Sequence, residues 1–173
     1  MLMGHHSFFL LFFKAMMTKP EKYAHFIEEF RLLIEGETDT TAILANTAAA
    51  LREAFGFFWV GFYVVRPNDE GHDELVLGPF QGSVACYRIR KGRGVCGSAW
   101  EQAESIVVPD VEEFPGHIAC SSLSRSEIVV PTFDEAGTVR GVLDIDSDEL
   151  CAFDEADREG LEQVCATLAR IWN

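Results

Sequence analysis

The stretch Phe57-Phe-Trp-Val-Gly-Phe-Tyr-Val-Val-Arg66 consists mostly of aromatic and β-branched residues, a composition typical of a β-strand. Side chains alternate between the two faces of a strand, so one face is expected to carry Phe58 and every second residue after it. The other face carries Trp59 and Tyr63, with only Gly61 between them. This spacing predicts a shallow gap walled by two aromatic rings, although an ordinary core face has the same pattern.

Four further apolar runs predict shorter strands, at residues 75–77, 106–108, 128–133 and 139–146. Turn residues at 67–71 join the long strand to the first of these, and turn residues at 134–137 join the last two. Both pairs of strands are therefore expected to form hairpins.

Two helices are predicted before the long strand. Thr18 and Glu21 form the capping-box pattern that starts the first helix, and the second begins after Asp39 or Thr40 and ends at Gly56. Apolar residues recur at helical spacing in both helices. They are Tyr23, Phe26, Ile27, Phe30 and Leu33 in the first helix and Leu44, Ala48, Leu51 and Phe55 in the second.

Two more helices follow, a short one at residues 94–103 and a final one capped by Asp154. The apolar side of the final helix comprises Leu161, Val164, Cys165, Leu168 and Trp172. Strands that run in hairpins, with helices at both ends of the chain, predict an α+β fold in which helices pack on an antiparallel sheet.

Length and composition limit the classes of function. A chain of 173 residues with 48% apolar residues is expected to form one domain with a real core. Its formal net charge of −14 disfavours nucleic acid and anionic membranes as partners, because both require a basic surface. The five cysteines are an odd number without the spacing of a secreted disulfide framework, so we expect reduced thiols and a cytoplasmic protein.

Residues 1–16 precede the first predicted helix. Residues 7–13 are strongly apolar but too short to span a bilayer, and they lack the basic region and cleavage site of a signal peptide. We interpret residues 1–16 as an upstream leader or an added extension, with Met16 or Met17 as the natural start. A packing arm or swapped segment is the alternative.

Three cysteines lie in glycine-rich surroundings that suit thiol chemistry. Cys96 is at the predicted start of a helix, where backbone N–H groups and nearby Arg93 would favour a thiolate, although a small residue for tight packing also fits there. Cys120 follows a flexible turn, and His117 could raise its thiolate fraction or bond a loop carbonyl. Cys86 is expected near a strand end, as a reactive thiol or a buried small residue.

Cys151 and Cys165 are predicted to be structural. Neither the Cys86–Cys96 spacing nor the His117–Cys120 spacing supplies the short-spaced ligand pairs of structural zinc sites, so no metal site is expected. No bound cofactor is expected either.

Three carboxylates form a second candidate group. Asp144 and Asp146 fall on one face of a predicted strand whose other face carries Leu143 and Ile145, and Glu127 opens the partner strand. Like charges held together raise at least one carboxyl pKa, and such a group can bind an ammonium ion and keep one acid protonated. A solvated polar face of the sheet is the alternative interpretation.

Six motifs, in the same order and at compatible spacing, together resemble the free methionine-(R)-sulfoxide reductases, which are single GAF-domain enzymes. The motifs are Trp59-Val-Gly-Phe-Tyr63, Leu75-Val-Leu-Gly-Pro-Phe-Gln-Gly82, Gly92-Arg-Gly-Val-Cys-Gly97, Gly116-His-Ile-Ala-Cys120, Ser126-Glu-Ile-Val129 and Gly141-Val-Leu-Asp-Ile-Asp-Ser147. The resemblance implies one GAF domain over residues 17–173, with a six-stranded antiparallel sheet between N- and C-terminal helices, and a homodimer.

The resemblance also implies a chemistry. Cys120 would attack the sulfoxide sulfur and become a sulfenic acid, Cys86 or Cys96 would form a disulfide with it, and thioredoxin would reduce that disulfide. The residues matching the substrate-binding positions are Trp59 and Tyr63 at the methyl end and Glu127, Asp144 and Asp146 at the ammonium and the sulfoxide oxygen. The alternatives are a GAF sensor that binds a small ligand without turnover and a cysteine redox sensor without a substrate.

Overall fold

The strands of the described residues form one antiparallel sheet of six, in the order β3-β2-β1-β6-β5-β4. The computed structural model describes residues 17–117 and 122–172, so the predicted leader and Cys120 lie outside the described residues. The strands are β1 (Trp59–Pro67), β2 (Asp73–Gln81), β3 (Arg88–Ile89), β4 (Ile106–Val108), β5 (Ser126–Phe133) and β6 (Val139–Ser147). The predicted α+β class, both hairpins and the six-stranded sheet are confirmed.

The described residues also form four α-helices. They are α1 (Lys19–Leu33), α2 (Thr40–Phe55), α3 (Gly94–Gln102) and α4 (Glu155–Thr167). The capping box of Thr18 and Glu21 forms as predicted, and Asp39 and Asp154 cap α2 and α4 with their side chains. Gly56 ends α2 in a left-handed conformation with φ of 74°, which glycine adopts without steric cost.

The helices α1, α2 and α4 cover one face of the sheet with an apolar core. Phe62 from β1 and Leu143 and Ile145 from β6 are each fully buried there. The opposite face carries a second apolar cluster around Trp59 and Tyr63, together with α3. Alternation along β1 therefore separates the two faces as predicted, except that Phe58 packs with the second cluster. No helix among the described residues is long and apolar enough to cross a membrane.

The structure corrects the predicted burial of side chains at the ends of two helices. Leu33 is 51% exposed, and Ile34 is buried in its place because α1 ends at Leu33 and the chain turns there. Trp172 is only partly buried, because α4 ends at Thr167 and the following 3-10 turn points Ile171 inward instead. Both errors lie at the end of a helix, where the regular helical spacing of buried side chains stops.

Two strands also differ from the sequence prediction. The strand predicted at residues 75–77 runs from Asp73 to Gln81, because it pairs with β1 along most of its length. The two-residue strand β3 was not predicted, and it pairs Ile89 with Leu75 at one edge of the sheet. A run that short carries no periodicity to recognise.

Candidate functional site

Strand register brings the predicted aromatic and acidic residues together on the face that α3 covers. Asp146 is paired with Trp59 on one side and with Glu127 on the other, and Asp144 is paired with Gly61. Residues directly opposite each other in an antiparallel pair project to the same face. Three strands therefore contribute to one group of side chains. Alternation predicted the shared face of Asp144 and Asp146, whereas only the family resemblance joined them to Trp59.

Glu127 and Asp144 are buried and Asp146 is partly buried, so the carboxylates do not form a solvated face. Glu127 is 6% exposed and Asp144 is 7% exposed, and burial, followed by the neighbouring carboxylates, raises the pKa of both groups well above their ordinary values. Burial raises the pKa of Asp146 to about 6, against a hydrogen bond with Ser124 that lowers it. The solvated-face interpretation is therefore wrong, and the cluster can hold protons near neutral pH.

The side chain of Asp144 is incompletely hydrogen-bonded among the described residues. Its Oδ1 atom is buried and has no hydrogen-bond partner among the described residues. A buried carboxylate oxygen without a donor costs free energy, so the site is suited to a ligand that brings a donor or a positive charge.

Cys96 lies in the first turn of α3 and faces the carboxylates, with its Sγ 3.9 Å from Glu127 Oε1. The predicted thiolate at this helix start is wrong. Burial, followed by the charges of Asp144 and Glu127, raises the pKa of the Cys96 thiol well above its ordinary value. The unfavourable burial of a negative sulfur therefore outweighs the helix N-terminus.

The Trp59 ring fills the space above Gly61. A Cβ atom added at Gly61 would lie 2.6 Å from the ring, and one added at Gly82 would lie 2.3 Å from it. The indole also stacks on Phe80 and donates its N–H to the Ser83 carbonyl at 2.9 Å. The predicted gap between two aromatic walls is therefore closed, because the glycine admits the ring itself.

Tyr63 connects the aromatic wall to Cys86. The Tyr63 hydroxyl donates to the Cys86 carbonyl at 3.0 Å, two residues before β3 begins. Cys86 is held in a disulfide bond, whereas Cys96, Cys151 and Cys165 are free thiols. Cys86 therefore lies in the loop between β2 and β3 rather than at the predicted strand end, and it is the disulfide-bonded cysteine among the described residues.

The two cysteines predicted to be structural differ in their surroundings. Cys165 is buried in the core on α4, as predicted for a packing residue, and burial raises the pKa of its thiol. Cys151 is exposed in the turn before α4. Neither lies among the residues of the carboxylate cluster.

A small cavity of about 30 Å³ opens between the start of α3 and the acidic ends of β5 and β6. Its described lining is Ile89, Arg93, Gly94, Val95, Cys96, His117, Ser124, Glu127, Asp144 and Asp146. This volume holds water-sized groups but not an amino acid. Burial lowers the pKa of His117, which favours the neutral imidazole at the cavity wall.

Sequence reasoning missed three residues of this site. Ser124 bonds Asp146, Phe80 stacks on Trp59, and Ser83 accepts the indole N–H. Phe80 lies in one of the quoted motifs, but no spacing rule connects it to Trp59 on another strand. The two serines lie in loops, where a sequence pattern does not predict which way a side chain or a carbonyl group points.

The cluster has the geometry of a cation site as well. The Cys96 sulfur and one carboxylate oxygen each from Glu127 and Asp144 lie within 4.8 Å of one another, and all three residues are buried. Sequence spacing did not indicate this set, because its members come from α3, β5 and β6 rather than from one short motif.

Comparison with known proteins finds a family model and relatives that match most of this chain. The family model for the GAF domain matches residues 37–173. The free methionine-R-sulfoxide reductase of Escherichia coli is 45% identical over 156 residues, which cover 90% of this chain and 91% of the relative. GAF domain-containing protein A of Dictyostelium discoideum is 55% identical over 151 residues, covering 87% of this chain and 92% of the relative.

A solved structure is similarly close. The free methionine-R-sulfoxide reductase of Neisseria meningitidis, solved in complex with its substrate, superposes with a TM-score of 0.82. It is 52% identical in sequence, and the match covers 88% of this chain and 89% of that one. The similarity therefore extends over nearly the whole described chain.

Proposed function

Because this chain belongs to the free methionine-R-sulfoxide reductase family of GAF-domain proteins, it is an oxidoreductase, and we propose that it reduces free L-methionine-(R)-sulfoxide to L-methionine. The observation that carries the proposal is a group of three adjacent carboxylates with raised pKa values, the buried Glu127 and Asp144 and the partly buried Asp146. Such a group has little structural use unless a ligand compensates it.

The carboxylates divide two tasks in this proposal. The ionised members bind the substrate ammonium, and Asp144 Oδ1, which has no partner among the described residues, is suited to accept one of its N–H bonds. A protonated member faces the sulfoxide oxygen and donates to it, because that oxygen leaves sulfur only after protonation. A methionine whose nitrogen is already an amide has no ammonium and would leave the carboxylates unpaired, which gives selectivity for the free amino acid.

The cysteine thiols supply the two electrons for the proposed reduction. The Cys120 thiolate attacks the sulfoxide sulfur, the oxygen passes to Cys120, and methionine leaves, so the substrate sulfur gains two electrons and Cys120 becomes a sulfenic acid. A second thiol attacks that sulfenic acid, forms a disulfide and releases water. Cys86 is favoured for this role because it is the described cysteine found in a disulfide, while Cys96 is a buried free thiol with a raised pKa.

The aromatic wall positions the other end of the substrate. Trp59 and Tyr63 are buried on the same face as the carboxylates and are proposed to contact the methyl group. The cavity of about 30 Å³ does not hold an amino acid in this state, in which Cys86 is in a disulfide. We therefore propose that reduction of the disulfide precedes substrate binding.

The reductant, the assembly and the location are also proposals. Thioredoxin returns the disulfide to two thiols, and no bound cofactor is required. A homodimer is supported by the exposed Leu32 and Leu33 at the end of α1, which are 72% and 51% exposed. A cytoplasmic location remains a prediction from the cysteine pattern.

A small-ligand or redox sensor is the second candidate function. The disulfide at Cys86 would suit a redox sensor. A pure redox sensor has no use for Trp59 or the carboxylates, so substitutions there would leave its disulfide chemistry unchanged. A ligand sensor would bind methionine sulfoxide, with a higher melting temperature, but would not consume it.

A thioredoxin-coupled assay with the (R) and (S) epimers of free methionine sulfoxide tests the proposed function. Turnover of the free (R) epimer is expected, with little or none of the (S) epimer or of N-acetylmethionine-(R)-sulfoxide. Cys120→Ser is expected to abolish it, and Cys86→Ser is expected to permit one turnover that thioredoxin cannot repeat. Undiminished turnover in Cys120→Ser would refute the nucleophile, and absence of turnover in the wild type would refute the function.

A further inference from the structure

We propose that Cys96, Glu127 and Asp144 form a binding site for a thiophilic divalent cation such as Zn²⁺, and that the cation and the substrate ammonium exclude each other. The binding site itself stands on geometry alone. Only its effect on turnover rests on the proposed function.

The ligand set suits zinc. A thiolate and two carboxylates from three elements can supply three of four tetrahedral positions, leaving one for water. Zinc bonds of about 2.0–2.3 Å place neighbouring ligand atoms roughly 3.3–3.8 Å apart. The three atoms lie within 4.8 Å of one another, and Cys96 Sγ is already 3.9 Å from Glu127 Oε1. A contraction of about 1 Å by side-chain rotation would close the site.

An independent observation points to a missing positive partner. Asp144 is 93% buried, and its Oδ1 has no hydrogen-bond partner among the described residues. No ion pair within the described ranges 17–117 and 122–172 joins Glu127 or Asp144 to a basic side chain. Buried carboxylates are ordinarily paired with a cation or coordinate a metal, so this group lacks the partner that its burial calls for.

Sulfur decides which cation binds. Two carboxylates alone would accept Mg²⁺ or Ca²⁺, but those ions prefer six or more oxygen ligands. A thiolate in a set of three selects Zn²⁺ and similar soft ions. The cavity of about 30 Å³ also admits an ion with a bound water, whereas it does not hold an amino acid.

The proposed metal site can be tested directly in the disulfide-bonded form of the protein. Cys86 is in a disulfide, so the thiols available among the described residues are those of Cys96, Cys151 and Cys165. The disulfide form of the full chain is stripped with a chelator and titrated with Zn²⁺ by calorimetry. Cd²⁺ is titrated in parallel, because its bond to a thiolate absorbs in the ultraviolet.

We expect one equivalent of Zn²⁺ to bind and a cadmium–thiolate band to appear. Cys96→Ser should remove the band and weaken Zn²⁺ binding at least about tenfold, and Asp144→Asn should weaken binding similarly. Cys151→Ser, which changes an exposed free thiol, is the matched control and should alter neither measurement. Mg²⁺ should compete poorly.

Three results would overturn the proposal. They are the absence of binding in the wild type, an unchanged band in Cys96→Ser, and Mg²⁺ binding as tight as Zn²⁺ binding. Melting temperatures report whether each variant is folded. If Cys96→Ser does not fold, Asp144→Asn and Glu127→Gln decide the question, because each removes one ligand and one uncompensated charge.

Activity assays separate this proposal from the proposed function. Reduced protein is assayed with Zn²⁺, and inhibition that rising substrate relieves is expected. Metal binding without any sulfoxide reduction would leave the site standing and refute the function. Sulfoxide reduction with no metal binding would do the reverse.

Discussion

Two neighbouring residues of β6 have opposite surroundings. Leu143 is fully buried among the helices that cover one face of the sheet, in contact with apolar side chains. Asp144 is 7% exposed on the other face, beside Cys96 and Glu127, with an oxygen that has no partner among the described residues. Both are buried, but only Leu143 is in surroundings that match its chemistry. The face covered by α1, α2 and α4 therefore stabilises the fold, whereas the face covered by α3 keeps polar groups available for a ligand.

The largest difference between the two faces should appear in activity. Asp144→Asn is expected to lower kcat/KM for free methionine-(R)-sulfoxide by about 100-fold or more, because the carboxylate is lost while the shape is kept. The melting temperature should stay the same or rise, since an uncompensated buried charge is removed. Thioredoxin-coupled kinetics measure the first effect, with exposed Asp148→Asn as the control. Full activity in Asp144→Asn would contradict the role assigned to this face.

The opposite pattern is expected for Leu143→Ala. Loss of a fully buried leucine should lower the free energy of unfolding by about 2–5 kcal/mol, through lost apolar burial and a residual cavity. The kcat/KM of the folded fraction should change little. Urea unfolding measures the loss, and Leu150→Ala, at a side chain that is 41% exposed, should lie within about 0.5 kcal/mol of wild type. A stability change no larger than that of Leu150→Ala would contradict the packing described for this face.

The pH dependence of stability should distinguish the acidic face as well. Burial raises the pKa of Asp146 from 3.8 to about 6, so between these values the folded chain binds the proton more tightly than the unfolded chain. The free energy of unfolding contributed by Asp146 therefore falls as pH rises through that window, by no more than about 3 kcal/mol. Urea unfolding of wild type and Asp146→Asn across the window should show a smaller decline in the variant. Parallel curves would mean that the pKa of Asp146 is not raised.

Two glycines offer the finest comparison of the faces. A Cβ at Gly61 would lie 2.4 Å from Phe80 Cβ and 2.6 Å from the Trp59 ring, whereas a Cβ at Gly160 would lie 2.2 Å from the Tyr23 ring on the face that α1, α2 and α4 cover. Alanine at either position should cost about 1–3 kcal/mol of unfolding free energy, with Gly160→Ala partly offset by better helix propensity. Only Gly61→Ala should also raise KM, because it displaces Trp59. Equal KM values in the two variants would count against a substrate-binding role for Trp59.

Patterns that depend on near neighbours were predictable from the sequence. Alternation along β1 and β6 separated Leu143 and Ile145 from Asp144 and Asp146, and the structure keeps that separation. The capping box at Thr18 also formed as predicted, because a cap involves residues three apart in the chain. Errors appeared where a local pattern stopped, as at the ends of α1 and α4.

Properties that depend on burial were not predictable. The pKa of Cys96 was predicted from the helix start and nearby Arg93, whereas burial and two carboxylates on β5 and β6 raise it. The space above Gly61 was predicted as a gap, but the Trp59 ring occupies it. In both cases the deciding neighbour is distant in sequence.

The sequence by itself determined the two hairpins, the helix caps and the face to which each side chain of β6 projects, because backbone geometry repeats over two to four residues. Only the tertiary structure decided that Glu127, Cys96 and Asp144 share one small buried cavity, since their meeting requires the register of β5 on β6 and the packing of α3 on both. Burial then converts three ordinary acids and a thiol into groups that hold protons or a cation, because charge is costly where water is excluded.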